Sequence, residues 1–357
     1  MNSDFLIVGA GVIGLATAQH LLGLGMSVTV LERGVTAEES SWAGGGILSP
    51  LCPWDYPDEV TRLTERGASL FARWAAELRV MTGIDPEYDV SGLLVLPPFD
   101  LQTAKNWCAT HAVQLLQADA SNGGLSGESM GIVLPQVAQV RNPRLMQALR
   151  QRVELLGGRI VEHCAVQSLK SAADRVHVAL TARGEFSAEN FIIAAGAWST
   201  QVLGPHALRL DIKPVRGQML LYKFPAPPLH HIVVQGDLYL IPRRDGHLLV
   251  GSTLEDVGFD KNITPAAYAS LYQRAAQILP QLEGMPLAQH WAGLRPASPR
   301  NIPTIGRHPH LKNLYLNSGH YRYGVTMAPA SVEILMNEIT GAAQPFDIVP
   351  YQVGWNG

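Results

Sequence analysis

The chain opens on an apolar run without fixed charge. From Phe5 to Leu31, 27 residues pass without Asp, Glu, Lys or Arg. Phe5–Val8 is short, apolar and ends at a glycine, which predicts a buried parallel strand. Leu15–Leu22 has helix-forming composition, with Gly23 and Gly25 as stop signals. Ser27–Leu31 is β-branched and apolar and reads as a second strand, closed by Glu32. By length the run is long enough to span a membrane, and by position it resembles a signal peptide. Its interior glycines and its acidic flanks, Asp4 and Glu32, oppose a span. The leading MNSD lacks the basic start of a signal.

Further along, Thr61–Arg79 places Leu63, Leu70, Phe71, Trp74 and Leu78 at helical spacing. Ser91–Pro97 predicts a strand, residues 101–112 a helix, and Ala120–Gly131 a turn-rich piece. A helix is expected over Arg144–Leu156, ended by Gly157-Gly158. Strands follow at Arg159–Glu162, Val176–Thr181 and Glu189–Ala195. Leu238–Pro242 and His247–Ser252 alternate and are joined by Arg243-Arg244-Asp245-Gly246, a hairpin signal. Both arginines flank the turn and are expected in solvent. Thr264–Leu279 is a helix opened by Thr-Pro. Leu314–Asn317 is a strand, and a last helix is expected from Pro329 and Ser331 to about Thr340. The pattern predicts an α/β fold: a Rossmann-like unit with a second, mainly antiparallel α+β part interleaved with it.

Composition narrows this picture. At roughly 150 residues per domain, 357 residues allow about two domains. A hydrophobic fraction of 47% with only 16% charged residues excludes disorder. A net charge of −3 provides no field for nucleic acid. Cys52, Cys108 and Cys164 are an odd, scattered set, which argues against disulfides and for a reducing cytoplasm. The histidines and cysteines form no metal-ligand spacing, so no metal is expected.

The first chemistry lies at the start. Gly9, Gly11 and Gly14 fall in G-x-G-x-x-G spacing between strand and helix. Gly9 permits the tight turn, Gly11 admits a pyrophosphate, and Gly14 lets helix and strand pack closely. The pyrophosphate would sit at the helix N-terminus, where free N–H groups and the dipole attract anions. Glu32, 18 residues after Gly14, suits ribose hydroxyls and disfavours a 2′-phosphate. Three consecutive glycines, Gly44–Gly46, suggest either backbone pressed against a large planar ligand or a mobile loop.

Four blocks then carry a resemblance across nearly the whole chain: DFLIVGAGVIGLATAQHLLGLGMSVTVLER, NFIIAAGAWS, WAGLRPASPRNIPTIG and NSGHYRYGVTMAPAS. In them the sequence resembles the D-amino-acid-oxidase-type family of FAD-dependent amine oxidoreductases, and within it the glycine-oxidase group. The resemblance implies non-covalent FAD bound extended. Its contacts would be Gly9, Gly11, Val12, Ile13, Gly14, Glu32 and Arg33, then Ser41, Gly44, Gly45, Gly46, Ile47 and Leu48. Val166, Ala195, Gly196, Trp198, Gly293, Arg295, His320, Tyr321, Arg322, Tyr323, Gly324, Val325 and Thr326 complete the set. It also implies an FAD-binding domain over residues 1–88, 141–212 and 295–357, and a substrate-binding domain over 89–140 and 213–294.

The implied reaction is oxidative deamination of glycine, sarcosine or small D-amino acids by hydride transfer to flavin. The products would be a 2-oxo acid, an amine and hydrogen peroxide, with dioxygen as acceptor. The flavin is the electron sink, so the protein needs chiefly to hold the carboxylate and aim Cα. A guanidinium pairs bidentately with a carboxylate. By the resemblance Arg295 is the main clamp, Tyr239 and Arg322 support it, and Leu254 is an apolar pocket residue. His320 is expected to be a structural hydrogen-bonder and not a base. The resemblance further implies a role in thiamine biosynthesis, a homo-oligomer and no integral membrane association. The chain departs from the group at Tyr323, where members often carry Asn, and at Val325-Thr326-Met327, which allows a larger or N-substituted amino acid. Three alternatives stay open: a D-amino-acid or proline-type dehydrogenase feeding a quinone, a flavin-binding accessory protein without oxidase activity, and an NAD-dependent dehydrogenase.

Overall fold

In a computed structural model, residues 3–119, 125, 126 and 130–352 are described. The turn-rich piece expected over Ala120–Gly131 falls largely outside them. In chain order the strands are β1 (Ser3–Val8), β2 (Val28–Leu31), β3 (Leu93–Leu96), β4 (Leu116–Asp119), β5 (Met130–Leu134), β6 (Arg159–Val161), β7 (Val166–Ala172), β8 (Arg175–Thr181), β9 (Gly184–Ile193), β10 (Lys213–Lys223), β11 (Ile232–Gln235), β12 (Leu238–Pro242), β13 (His247–Gly251), β14 (Gln289–Ala297), β15 (Thr304–Arg307) and β16 (Leu314–Ser318). The helices are α1 (Val12–Gly23), α2 (Ser40–Ala43), α3 (Asp58–Thr82), α4 (Leu101–Thr110), α5 (Asn142–Leu155), α6 (Ser199–Leu203), α7 (Pro265–Ile278) and α8 (Gly324–Thr340).

Two sheets organise these elements. The first runs β15-β16-β9-β1-β2-β6, with β7 and β8 carried on β9. Its centre is parallel: Phe5 pairs with Val28 on one side and Asn190 on the other. Both faces of this centre are buried, which explains strands that are apolar throughout. Ile7 and Val30 pack under α1, α3, α5 and α8, whereas Leu6 and Leu31 face Val176, Phe191 and Leu203.

The second sheet runs β14-β10-β13-β12-β11-β3-β5-β4. Its pairings are antiparallel except β3 with β11. Successive side chains point to opposite faces. Leu238 and Leu240 therefore join Leu271 and Ala275 of α7, while Tyr239 and Ile241 turn to Met219 and Leu51. The Asp-Gly hairpin is present as β12–β13, with Tyr239 opposite Gly251.

The last helix departs from expectation. It starts at Gly324, and Pro329 lies inside it. Pro329 removes a single N–H, the one that would reach the Val325 carbonyl. Burial of Met327, Ala328 and Ala330 in the core shared with α1 and α3 outweighs that loss. The N-terminus of α8 consequently sits in what the sequence suggested was loop.

Candidate cofactor and substrate site

A single elongated cavity of about 570 Å³ runs from the β1–α1 turn, past Gly44–Gly46, to Tyr239, Arg295 and Arg322. Its first wall is the glycine turn. Gly9 has φ +107°, a left-handed conformation, and a Cβ on Gly14 would lie 1.9 Å from the Gly9 carbonyl oxygen. No side chain fits either place, so the backbone can close tightly at the start of α1. The Val12 N–H, a free donor of the first helical turn, donates to Ser41 Oγ at 3.0 Å. Glu32 is buried; its Oε2 accepts from the Ala10 N–H at 2.8 Å and its Oε1 from the Gly34 N–H at 2.9 Å. Arg33 lies 4.0 Å over the Trp198 ring, and both border the cavity.

The middle wall is the glycine loop, braced by alternate residues of β12. A Cβ on Gly45 would meet Ile241 Cδ1 at 2.5 Å and Tyr239 Cε2 at 3.3 Å. Arg243, two residues further on the same face, is buried and not in solvent as its turn position suggested. It donates to the carbonyls of Gly45 (2.7 Å) and Val140 (2.9 Å) and to Gln139 Oε1 (2.7 Å). Burial, together with the neighbouring Arg141, lowers its guanidinium pKa to about 10. Arg244 is exposed as expected, bonded to the Tyr88 carbonyl and Asp89.

The far end gathers cations and phenols. Arg295 of β14 is opposite Val215 in the β10 ladder, and its guanidinium lies across Gly217, where a Cβ would come within 2.1 Å of it. It donates to the Thr253 carbonyl at 3.1 Å and to Ser252 Oγ at 2.5 Å. Arg322 precedes α8 and is only partly exposed. Among the described residues it makes neither a hydrogen bond nor an ion pair, so its charge is uncompensated at the cavity surface. Tyr239 is buried, with its hydroxyl 3.2 Å from Met219 Sδ. His320 Nε2 lies 2.9 Å from Ser331 Oγ, and burial pulls its pKa down to about 3. It is a neutral, hydrogen-bonded ring at neutral pH.

The cavity brings together most of the residues expected from the sequence, with four departures. Leu254 is 42% exposed and lies outside the cavity wall. Its neighbours turn inward instead: the Gln218 N–H donates to Thr253 Oγ1 at 2.8 Å, and Glu255 pairs with Arg216. Strand-like alternation therefore sends Leu254 to solvent. Gly14, Leu48 and Gly293 also do not border the cavity. Gly14 packs on Gly9, the Leu48 N–H donates to the Ala138 carbonyl, and Gly293 lies against Ala43. Sequence reasoning passed over Ser49, Leu51, Asn142, Asn317 and Ser318, all of which line it. Their residue types carry no ligand signal, and only the folded chain brings them to one wall.

The site therefore defines a class: an oxidoreductase that takes an extended dinucleotide on a βαβ unit and covers its far end with an antiparallel sheet. The chain belongs to the DAO family, described as FAD dependent oxidoreductase, whose model matches residues 4–337. It is 43% identical to a glycine oxidase of Pseudomonas aeruginosa, covering 98% of both chains. It is 32% identical to the bifunctional protein ThiO/ThiG of Trichormus variabilis, covering 95% of this chain and 53% of that protein. The structure superposes on a glycine oxidase from Geobacillus kaustophilus with TM-score 0.93 at 26% identity, over 98% of each chain. The residues present fit FAD. The cavity is elongated, one end has the glycine turn and buried acid, and the buried oxygens Asn142 Oδ1 and Asn317 Oδ1 have no partner among the described residues.

Proposed function

We propose that the protein oxidises glycine and other small or N-substituted amino acids with FAD as its redox cofactor. The carrying observation is Arg322, a guanidinium without a partner among the described residues, in the same cavity as the dinucleotide turn. An uncompensated cation in a partly dry site is a place for an anion, and a carboxylate matches it bidentately.

Gly9, Gly11, Val12, Ile13, Glu32 and Arg33 would hold the adenosine half of FAD. The loop 44–47 and the segment 320–326 would hold the other half. Bound FAD supplies a two-electron acceptor. The protein's own part is to bind and orient. Arg322 and Arg295 hold the carboxylate, and the Tyr239 hydroxyl is placed to assist them. Ser252 and the Thr253 carbonyl fix two nitrogens of Arg295, which leaves its remaining edge for the ligand. His320 is the only histidine among the described residues lining the cavity, and its depressed pKa and Ser331 partner remove it as a proton acceptor. The amine is therefore expected to react in its neutral form, its proton going to water. In total, glycine, water and dioxygen would give glyoxylate, ammonia and hydrogen peroxide. The ThiO/ThiG relative supports placing this activity in thiamine biosynthesis.

The test is anaerobic mixing of the purified flavoprotein with glycine, sarcosine, D-alanine, D-proline and N-ethylglycine. Bleaching of the flavin by glycine or sarcosine, and peroxide formation in air, is the expected result. If no member of the panel bleaches the flavin, the assignment fails. Bleaching without peroxide would replace dioxygen by another acceptor.

A further inference from the structure

An arch, residues 47–56, forms one wall of the cavity through Ile47, Ser49 and Leu51. It has little regular structure: an isolated bridge from Ile47 to Gln139, a three-residue 3-10 turn at Pro53–Asp55, and bends or irregular backbone between. Such a segment takes its shape from what it is tied to. At its start the Leu48 N–H donates to the Ala138 carbonyl at 2.9 Å; two further ties come from the start of α8. Thr326 Oγ1 donates to the Ile47 carbonyl at 3.0 Å. Three residues earlier, the Tyr323 hydroxyl donates to the Tyr56 hydroxyl, and the Leu51 backbone N–H interacts with that same Tyr323 oxygen. The two tyrosine rings meet edge to face, 5.1 Å apart at 86°. Positions 323 and 326 are one helical turn apart, so one face of α8 grips the arch at both ends.

Between these ties lies Leu51, buried against Met219, Tyr239 and Ile241. It borders the cavity beside Tyr239, the residue expected at the carboxylate. Tyr323 adjoins Arg322 in sequence and also lines the cavity, whereas Tyr56 does not. Burial first, and then the neighbouring Tyr56, hold the Tyr323 phenol well above the ordinary tyrosine range. Burial thus favours the protonated hydroxyl that makes the tie.

We propose that Tyr323 is a specificity-determining positioning residue: its hydroxyl, bonded to Tyr56 and facing the Leu51 backbone, pins the Leu51 wall and so limits the bulk of the amino acid that reaches Arg322. This rests on the reading of the cavity as an amino-acid site. Releasing the hydroxyl frees the middle of the arch while Thr326 still holds Ile47.

The test compares wild type with Tyr323→Phe and Tyr56→Phe. Tyr323→Phe keeps the ring and removes the tie. Tyr56→Phe breaks the bond between the two hydroxyls from outside the cavity and leaves the Leu51 N–H facing Tyr323. Both variants are expected to raise kcat/KM for N-ethylglycine relative to glycine by roughly tenfold, the scale of a pocket change of about one methylene. For Tyr56→Phe, which lies outside the cavity wall, the glycine effect should fall on KM, with kcat within about twofold. A second readout needs no turnover: the dissociation constants of acetate and 2-methylpropanoate, followed by the flavin absorbance change. Wild type should favour acetate, and both variants should narrow that preference. If wild type neither oxidises an amino acid nor binds acetate, the site reading fails. If wild type does both and the variants keep the wild-type ratios, the tie does not set specificity. A shift in Tyr323→Phe alone would mean that the bond to Tyr56 plays no part in setting specificity, which also overturns the proposal.

Discussion

At Arg322 a guanidinium faces the cavity without a counter-ion among the described residues, while Arg295 spends two nitrogens on Ser252 and the Thr253 carbonyl. This division ranks the two differently from the sequence motif, which favoured Arg295 as the main clamp. Arg295 is pre-oriented, and Arg322 carries the unspent charge. Charge-assisted hydrogen bonds are worth about 1.5–3 kcal/mol. Arg322→Met is therefore expected to raise KM for glycine by roughly ten- to a hundredfold, with a smaller change in kcat, as steady-state kinetics would show. An unchanged KM would remove Arg322 from the substrate site. Both arginines were legible because each sits in a recognisable run, Gly-Leu-Arg-Pro and Gly-His-Tyr-Arg. Leu254 had no such protection, and its misplacement follows from the inward turn of Thr253 and Glu255 on either side of it.

At the level of elements, the β1–α1–β2 unit shows how a short motif dictates local structure. A Cβ on Gly14 would overlap the Gly9 carbonyl oxygen at 1.9 Å, and the obstacle is backbone that cannot swing aside. Gly14→Ala is expected to abolish flavin retention, measured as flavin absorbance per chain after gel filtration. Full flavin content in that variant would refute the close packing of helix on strand. The β12–β13 hairpin teaches the opposite lesson. Its turn residues were evident, but the fate of Arg243 was not. The groups that receive its hydrogen bonds belong to Gly45, Gln139 and Val140, roughly a hundred or more positions away in sequence. Arg243→Met leaves those acceptors without their donor in a buried place. A stability loss of about 3 kcal/mol is expected, read as a lower denaturant midpoint. A midpoint equal to wild type would mean that the loop is held by other contacts.

For the whole molecule, the second sheet lines the cavity through Tyr239 and Arg295 and the first through the C-terminal ends of β1, β2 and β16 at Val8, Leu31 and Ser318, and the helices that cover the first sheet also close the site. Among the described residues no helix is long and apolar enough to cross a membrane. Acid stability is a property at this scale. His308 and His320 are buried, and burial lowers their pKa values to about 4 and about 3. Unfolded histidines protonate near pH 6.5, so below that value the unfolded chain binds more protons than the folded one. The stability present above about pH 6.5 should fall steadily toward pH 4 and further toward pH 3. Thermal unfolding across that range checks it, and His308→Asn should flatten the upper part of the curve. A melting temperature constant from pH 6.5 to 4 would contradict the burial of these rings. The sequence alone determined the nucleotide-binding unit, because strand, glycines, helix and acid act over some thirty consecutive residues and need no distant partner. It also marked the two arginines. The buried role of Arg243, the early start of α8 and the arch tied by Tyr323 and Thr326 were decided only by tertiary structure. In each case the deciding contact joins segments far apart in the chain, and local pattern carries no information about such a contact.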